Sequence, residues 1–535
     1  MPEHRDVVVI GAGVSGIYQI KRLVDAGFDA LVVEADDDLG GTWYRNRYPG
    51  CRFDSESYTY GYTFSRELLD EWHWKERFSS QPENLRYLNH VADKFDLRPH
   101  MRFGARVQRM EWDEEATRWH LAMVDGETIT ARYVITSLGP LSMPVAPDYP
   151  GVGDFDGHAF HTYHWPRETL DLSGRRVGVV GTGATGIQVI SAIADQVEHL
   201  TVFQRRPNWS TPLNNAPINA AEMDDIRRRY DEIFAACAES PGGFEHTPRR
   251  GFWDHTPEQR RAIWDELYDT PGFALVFGNF AEVFMHEDAN AEMSAYVADR
   301  IRQRIHDPAT AEKLIPTDHG FATQRLPLET NYFEVYNRPN VELVDILADP
   351  IDRITPAGIQ TGTAHHALDV IVWATGFDAI TGAYDRIDIR GVDGAELRSK
   401  WSDGPSTFVG VLTHGFPNLL MVAGPQGVSG STNFPRAIEA GVDWIMGLLE
   451  HARSNGVARL EAEPDAEAGW VREVQRVQDR MLLRNSRGWF TGYNANVAGR
   501  SDGPPRYLAY FGGAPKYAEH VAQIAADGYP GIALT

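Results

Sequence analysis

Two stretches of the chain repeat one pattern: an unbroken apolar run, a glycine-rich turn, then apolar residues at helical spacing. Val7-Val8-Val9-Ile10 leads into Gly11-Ala12-Gly13-Val14-Ser15-Gly16 and a helical pattern reaching Ala26. Arg176-Val177-Gly178-Val179-Val180 leads into Gly181-Thr182-Gly183-Ala184-Thr185-Gly186, with a helical pattern through Ile187 to Ala194. A further apolar run closes each unit, Ala30–Val33 and Leu200–Phe203. Short runs without polar alternation predict strands covered on both faces, so each unit reads β-α-β. Two more runs ending in glycine, Tyr133–Gly139 and Val370–Gly376, predict strands that carry the chain from one unit to the other. Residues 213–322 differ: they are dense in Asp, Glu, Arg and Ala at helical spacing, as in Ala220–Cys237 and Ala291–His306. The expected fold is α/β, with two Rossmann-like dinucleotide-binding domains. The first takes residues 1–140 and 378–535, the second 141–212 and 323–377, with 213–322 a helical insertion in the second.

The strand ends separate the two units chemically. Both turns carry G-x-G-x-x-G, which brings bare backbone to a pyrophosphate at a helix N-terminus. The first closing strand ends at Glu34, an acid placed to accept hydrogen bonds from ribose hydroxyls. The second ends at Gln204-Arg205-Arg206-Pro207, offering two guanidinium groups. Arginines there read as a clamp for the 2′-phosphate of NADPH, through charge-assisted bidentate hydrogen bonds.

Composition narrows the field. A net charge of −24 over 535 residues repels phosphate backbones and anionic lipid, so neither nucleic acid nor membrane is expected as a partner. Two cysteines, Cys51 and Cys237, and no C-x-x-C argue against a disulfide framework, a structural zinc and a dithiol redox centre. No apolar run approaches the roughly 20 residues of a membrane span. No basic-plus-apolar leader precedes the strand at Asp6–Ile10. The expectation is a cytoplasmic, metal-free enzyme, monomeric or weakly oligomeric.

Two further motifs give the chemistry. Phe155-Asp156-Gly157-His158-Ala159-Phe160-His161-Thr162-Tyr163-His164-Trp165-Pro166 has the form F-x-G-x-x-x-H-x-x-x-W-P and lies just before the second glycine loop. Gly40-Gly41-Thr42-Trp43-Tyr44-Arg45-Asn46-Arg47-Tyr48-Pro49-Gly50-Cys51-Arg52-Phe53-Asp54 follows the acid-tipped strand within a few residues. Together with the two loops, these resemble the Baeyer–Villiger monooxygenases, flavoproteins that insert one oxygen atom of O2 next to a ketone carbonyl. The resemblance covers essentially the whole chain. It implies FAD on the first unit and NADPH on the second, O2 and an apolar ketone as substrates, and an ester or lactone as product by way of a C4a-peroxyflavin and a Criegee intermediate.

The resemblance also assigns residues. Asp54 is expected beside the flavin ring, paired with Arg325 in Phe321-Ala322-Thr323-Gln324-Arg325-Leu326-Pro327, where a permanent cation stabilises the developing oxyanion. Gly41, Thr42, Trp43, Tyr60, Val107 and Phe434 fall at FAD-contacting positions, and Trp489 matches the tryptophan of a loop that closes over NADP. Phe155, Gly157, His161 and Trp165 are expected to form a hinge between the domains. Residues 494–505, rich in Gly, Asn, Asp and Pro, read as a flexible loop, and Gly430 and Ser431 as the small walls of a roomy pocket. One position departs: the family has lysine before the catalytic arginine, whereas this chain has Gln324, which predicts a weakened preference for NADPH with Arg206 as compensation. The nearest alternative is a flavin-containing or N-hydroxylating monooxygenase acting on sulfur or nitrogen.

Overall fold

The computed structural model describes residues 3–501 and 503–535; Met1, Pro2 and Asp502 lie outside it. Strand Glu3–Ile10 sits inside the first sheet, flanked in parallel by Ala30–Val33 and Thr128–Thr136. Its Val7, Val8 and Val9 are wholly buried, as an uninterrupted apolar run must be when both faces are covered. Met101–Arg102 extends the sheet beyond Ala30–Val33, and Leu419–Met421 adds a parallel strand beside Thr128–Thr136. On the far side the sheet continues antiparallel through Arg118–Met123 and Val107–Asp113. Helix Val14–Asp25 packs against helix Phe434–Ser454, where Tyr18 donates to Asp443 at 2.8 Å.

The second sheet is wholly parallel, in the order Val341–Asp345, His199–Gln204, Arg176–Val180, Val370–Trp373, His158–His161. Its last member comes from the F-x-G-x-x-x-H run, so that run is an edge strand of the sheet as well as the approach to it. Gly157 is required there: a Cβ would lie 2.4 Å from the Asp369 carbonyl and 2.6 Å from the Phe155 ring. A small antiparallel sheet, Ile351–Thr355, Gly358–Thr361 and His365–Ala367, precedes the return strand Val370–Trp373.

The segment 213–322 is helical. Ala220–Glu239 is capped by the Asn219 side chain, and Pro257–Asp269 opens on a Thr256–Gln259 capping box. The helix expected at Ala291–His306 runs Glu287–Arg304, because Ile305 is extended and Asp307 caps the next helix, Pro308–Lys313. The two cofactor-type units meet where helix Ala184–Ile193 packs on the Pro49–Gly50 turn. Gly50 has φ +80°, and a Cβ there would lie 2.5 Å from the Gln188 carbonyl. Gln188 also accepts from the Tyr48 hydroxyl at 2.9 Å and donates to the Arg52 carbonyl at 3.0 Å.

Candidate active site

The first crevice is built from bare backbone. Gly11 takes φ +106° to turn strand into helix, and a side chain on Gly16 would run into the Gly11 carbonyl. Gly41 backs onto Gly13 so closely that a Cβ on it would lie 2.9 Å from the Gly13 Cα. Thr42, exposed, opens the short helix Thr42–Arg45, and buried Trp43 donates through Nε1 to the Tyr60 hydroxyl at 2.7 Å. Val107 starts its strand, and Ala105 before it donates to the Glu34 carbonyl at 2.8 Å. Phe434 is half-buried at the head of its helix.

Glu34 is buried, with Oε2 accepting from Ala12 N–H at 2.7 Å and Oε1 from Asp36 N–H at 2.9 Å. Burial pushes its carboxyl above the ordinary range, and the Ala12 N–H works against that shift. The acid thus braces the phosphate loop itself. The crevice of backbone edged by a carboxylate fits a dinucleotide that carries free ribose hydroxyls.

The second crevice is more open. Gly186 backs onto the Gly181 carbonyl, whereas the Cβ position of Gly183 meets nothing within 4 Å, leaving room before helix Ala184–Ile193. Thr182 donates to the Arg206 carbonyl at 3.1 Å, Thr185 is half-buried and Ile187 buried. Arg205 and Arg206 are both exposed and lean on different partners. Arg205 Nη1 donates to Asn496 Oδ1 at 2.8 Å, while Arg206 Nη1 lies 3.4 Å from Asp318 Oδ2. Gln324 lies against Gly488, whose Cβ position is 3.3 Å from the Gln324 Cγ. Two cations therefore face this crevice, and one already has a carboxylate beside it.

Asp54 and Arg325 meet between the crevices. Arg325 Nη2 lies 2.7 Å from Asp54 Oδ2, which also accepts from Leu328 N–H at 3.4 Å. Asp54 is buried, and the Arg325 side chain keeps 30% exposure on the open side. Its Nη1 donates to the Leu326 carbonyl at 3.1 Å, and its guanidinium lies 5.8 Å from the Phe273 ring. Phe244, against Phe273 and Phe277 at 5.3 and 5.0 Å, makes an aromatic wall from the helical insertion. The segment after Arg325 is anchored by Arg304, which pairs with buried Glu329 at 2.7 Å and with Glu334 at 2.6 Å. Charge on Arg325 is thus held without being cancelled on its exposed face.

Other expected residues lie around this pair. Trp489 lies tilted against Phe490, ring centroids 4.2 Å apart, and packs with Ile380 and Leu508. Just before it, Ser486 donates to the Thr323 carbonyl at 2.7 Å. From 494–505, Asn494 and Asn496 bond the Phe377 and Thr375 carbonyls at 2.8 and 3.0 Å, and Asp502 lies outside the described residues. His161 accepts at Nδ1 from Tyr163 N–H and donates at Nε2 to the Gly376 carbonyl, both at 3.1 Å. Desolvation pulls its pKa down to about 4, so the ring is neutral at pH 7 and both nitrogens are occupied by backbone. Trp165 is buried against Phe160 at 4.8 Å.

Gly430 and Ser431, expected as small walls of a roomy pocket, each meet a neighbouring segment. A Cβ on Gly430 would lie 3.0 Å from Ala509 Cβ, and Ser431 is tied to the Tyr510 and Val428 carbonyls. Small size there accommodates a neighbouring segment.

Comparison with known proteins agrees with this geometry. A profile of the pyridine nucleotide-disulphide oxidoreductases matches residues 8–237. The chain is 42% identical to 2-oxo-Delta(3)-4,5,5-trimethylcyclopentenylacetyl-CoA monooxygenase of Pseudomonas putida, over 99% of this chain and 98% of that one. It is 37% identical to a Baeyer-Villiger monooxygenase of Pseudooceanicola batsensis, over 98% and 96%. The crystal structure of OTEMO in complex with FAD and NADP superposes with a TM-score of 0.96 at 41% identity, covering 100% of both chains. The chain belongs to the Baeyer–Villiger monooxygenases. This makes it an FAD- and NADPH-dependent oxidoreductase. The disulphide chemistry in the profile's description does not carry over to this monooxygenase. Cys51 and Cys237 are buried and unpaired, and burial pushes both thiols up to about 12.

Proposed function

We propose that this monooxygenase inserts one oxygen atom of O2 beside the carbonyl of an apolar ketone, giving an ester or lactone, with Arg325 and Asp54 as its catalytic pair. The observation that carries the reading is a guanidinium held by a buried carboxylate at 2.7 Å and left open toward an aromatic wall. Bound FAD supplies the activation of O2, using electrons from NADPH. The chain's own residues supply the rest. Arg325 offers a fixed positive charge to oxygen atoms that become anionic as the carbonyl is attacked, often the largest catalytic term in a water-poor site. Asp54 orients that charge and offsets the cost of burying it. Phe244, Phe273 and Phe277 limit water and favour an apolar substrate.

Under the same reading, Gly11, Gly13, Gly16 and Gly41 cradle the FAD pyrophosphate and Glu34 its ribose. Arg205 and Arg206 take the 2′-phosphate of NADPH. The domains divide at residues 140, 212, 322 and 377. Buried, unpaired thiols and an acidic composition support a cytoplasmic enzyme, and size-exclusion chromatography tests whether it is a monomer or weak oligomer.

The test is NADPH consumption against a panel of ketones, sulfides and amines, with product masses. Ketones gaining one oxygen in the native enzyme, and none in Arg325→Ala despite continued flavin reduction, is the expected result. Products from sulfides and amines alone would move the assignment to the S- and N-oxygenating alternative. Near-normal ester formation by Arg325→Ala would remove Arg325 from the chemistry.

A further inference from the structure

Arg206 and Arg325 lie on different segments, yet a chain of polar contacts joins them. Asn208 Nδ2 donates to the Arg325 carbonyl at 3.0 Å. A carbonyl only accepts, so the amide is turned with Oδ1 toward His319 Nε2, 3.3 Å away. His319 Nδ1 faces Asp318 Oδ1 at 2.7 Å, and the bond from His319 holds the Asp318 carboxyl below its ordinary range. The ring, with its side chain 4% exposed, bridges a carboxylate and an amide. Trp209 Nε1 fixes the same residue by donating to the His319 carbonyl at 2.9 Å. At the outer end, Asp318 Oδ2 lies 3.4 Å from Arg206 Nη1.

We propose that Asp318, His319 and Asn208 are positioning residues that couple filling of the 2′-phosphate site at Arg206 to the placement of Arg325. The proposal rests on Arg206 reading that phosphate. An exposed pair such as Arg206–Asp318 is held by about 1 kcal/mol or less, so a phosphate that binds the guanidinium in two places displaces the carboxylate. Asp318 is then left with His319 as its hydrogen-bond partner. The shift passes through the clamped ring to Asn208 and the carbonyl of Arg325, whose side chain reaches Asp54. NADH has no 2′-phosphate and leaves the outer pair intact. The two nicotinamides should therefore differ in how faithfully their oxidation ends in oxygenated product, beyond any difference in affinity.

The experiment compares holoenzymes carrying Asn208→Ala, Arg206→Ala and both changes, measuring oxygenated product per nicotinamide oxidised and KM for each nicotinamide. With NADPH, Asn208→Ala should leave KM unchanged and lower product per NADPH about 5-fold, toward the value the native enzyme gives with NADH. With NADH it should change nothing. The double variant should lose no more than either single one. Equal losses with both nicotinamides, or losses that multiply in the double variant, would reduce Asn208 to ordinary packing and overturn the proposal. Asp318→Asn, which keeps the shape, serves if Asn208→Ala does not fold, with the same expected and overturning results. Should Arg206→Ala leave discrimination between NADPH and NADH unchanged, the underlying assignment of Arg206 fails instead.

Discussion

The two β-α-β units share a fold and a glycine pattern, but their strand ends are finished in opposite ways. Glu34 is buried and spends both carboxylate oxygens on backbone N–H groups at 2.7 and 2.9 Å, one in its own phosphate loop. Arg205 and Arg206 are exposed and rest on side chains from far along the chain, Asn496 and Asp318. A buried acid satisfied by backbone is costly to disturb, whereas exposed arginines can exchange partners at little cost. Under the proposed assignment, one end holds its ligand and the other admits and releases one. That contrast suits a flavoenzyme whose FAD stays while the nicotinamide turns over.

The strongest break in the comparison is Glu34→Ala. It orphans two buried N–H groups, each at about 2 kcal/mol, and removes the proposed ribose acceptor. The purified variant should lose its yellow colour and unfold at lower temperature, whereas Glu34→Gln keeps an acceptor and should lose less. A variant that retains FAD at native occupancy would show that the acid only braces the loop.

Acid should expose the second unit next. The His161 pKa falls to about 4 in the folded chain from an ordinary 6.5, so between those values the unfolded chain binds the extra proton. Stability from the neutral ring is then full above pH 6.5 and is lost as pH falls toward 4, up to about 3 kcal/mol. Replacing His161 with Gln removes the titration, and thermal melts from pH 7 to pH 4 should fall less steeply than in the native chain. Parallel slopes would mean that other groups set the acid limit.

What could be read from residues alone follows the range of the interaction. The glycine loops, their strands and the acid-versus-arginine ends are local, fixed by a few neighbouring side chains and by backbone geometry. Asp54 and Arg325 lie far apart in the chain, and motif resemblance alone pairs them; the fold then brings them to 2.7 Å. Asn496, Asp318, Asn208 and Gln188 carry no signal in the sequence. Amides and single acids are common in loops, and Asn496 meets Arg205 across 291 residues. The strand His158–His161 is hidden because an edge strand is half covered, so its residues lack the unbroken apolar run of the interior strands. At Gly430 the sequence does not show that Ala509, far along the chain, lies where a side chain would go.

Separating the two arginines sharpens the contrast within the nicotinamide site. Charge-assisted hydrogen bonds contribute about 1.5–3 kcal/mol, so Arg205→Ala should raise KM for NADPH roughly 10-fold or more and leave KM for NADH unchanged. Arg206→Ala should cost less, because Asp318 already draws on that charge. Steady-state kinetics with both nicotinamides ranks them, and a larger effect at Arg206 would reverse that order.

The smallest effect is expected at Gln324, where the opposition between fixed and exchangeable ends can be tuned without removing anything. Its side chain lies against Gly488, in the segment that Ser486 ties to the Thr323 carbonyl. Lysine at 324 would add a positive charge to the segment just before Arg325, where the family pattern has one. An exposed extra charge contributes about 1 kcal/mol, so Gln324→Lys should raise the kcat/KM preference for NADPH over NADH roughly 5-fold. The gain should shrink as salt is added, because an exposed pair is screened over about 8–10 Å at physiological ionic strength. If the native enzyme used both nicotinamides with equal kcat/KM, and lysine did not separate them, the arginine-tipped end would not be reading a 2′-phosphate. The difference between the two units would then lie only in how tightly each holds its ligand.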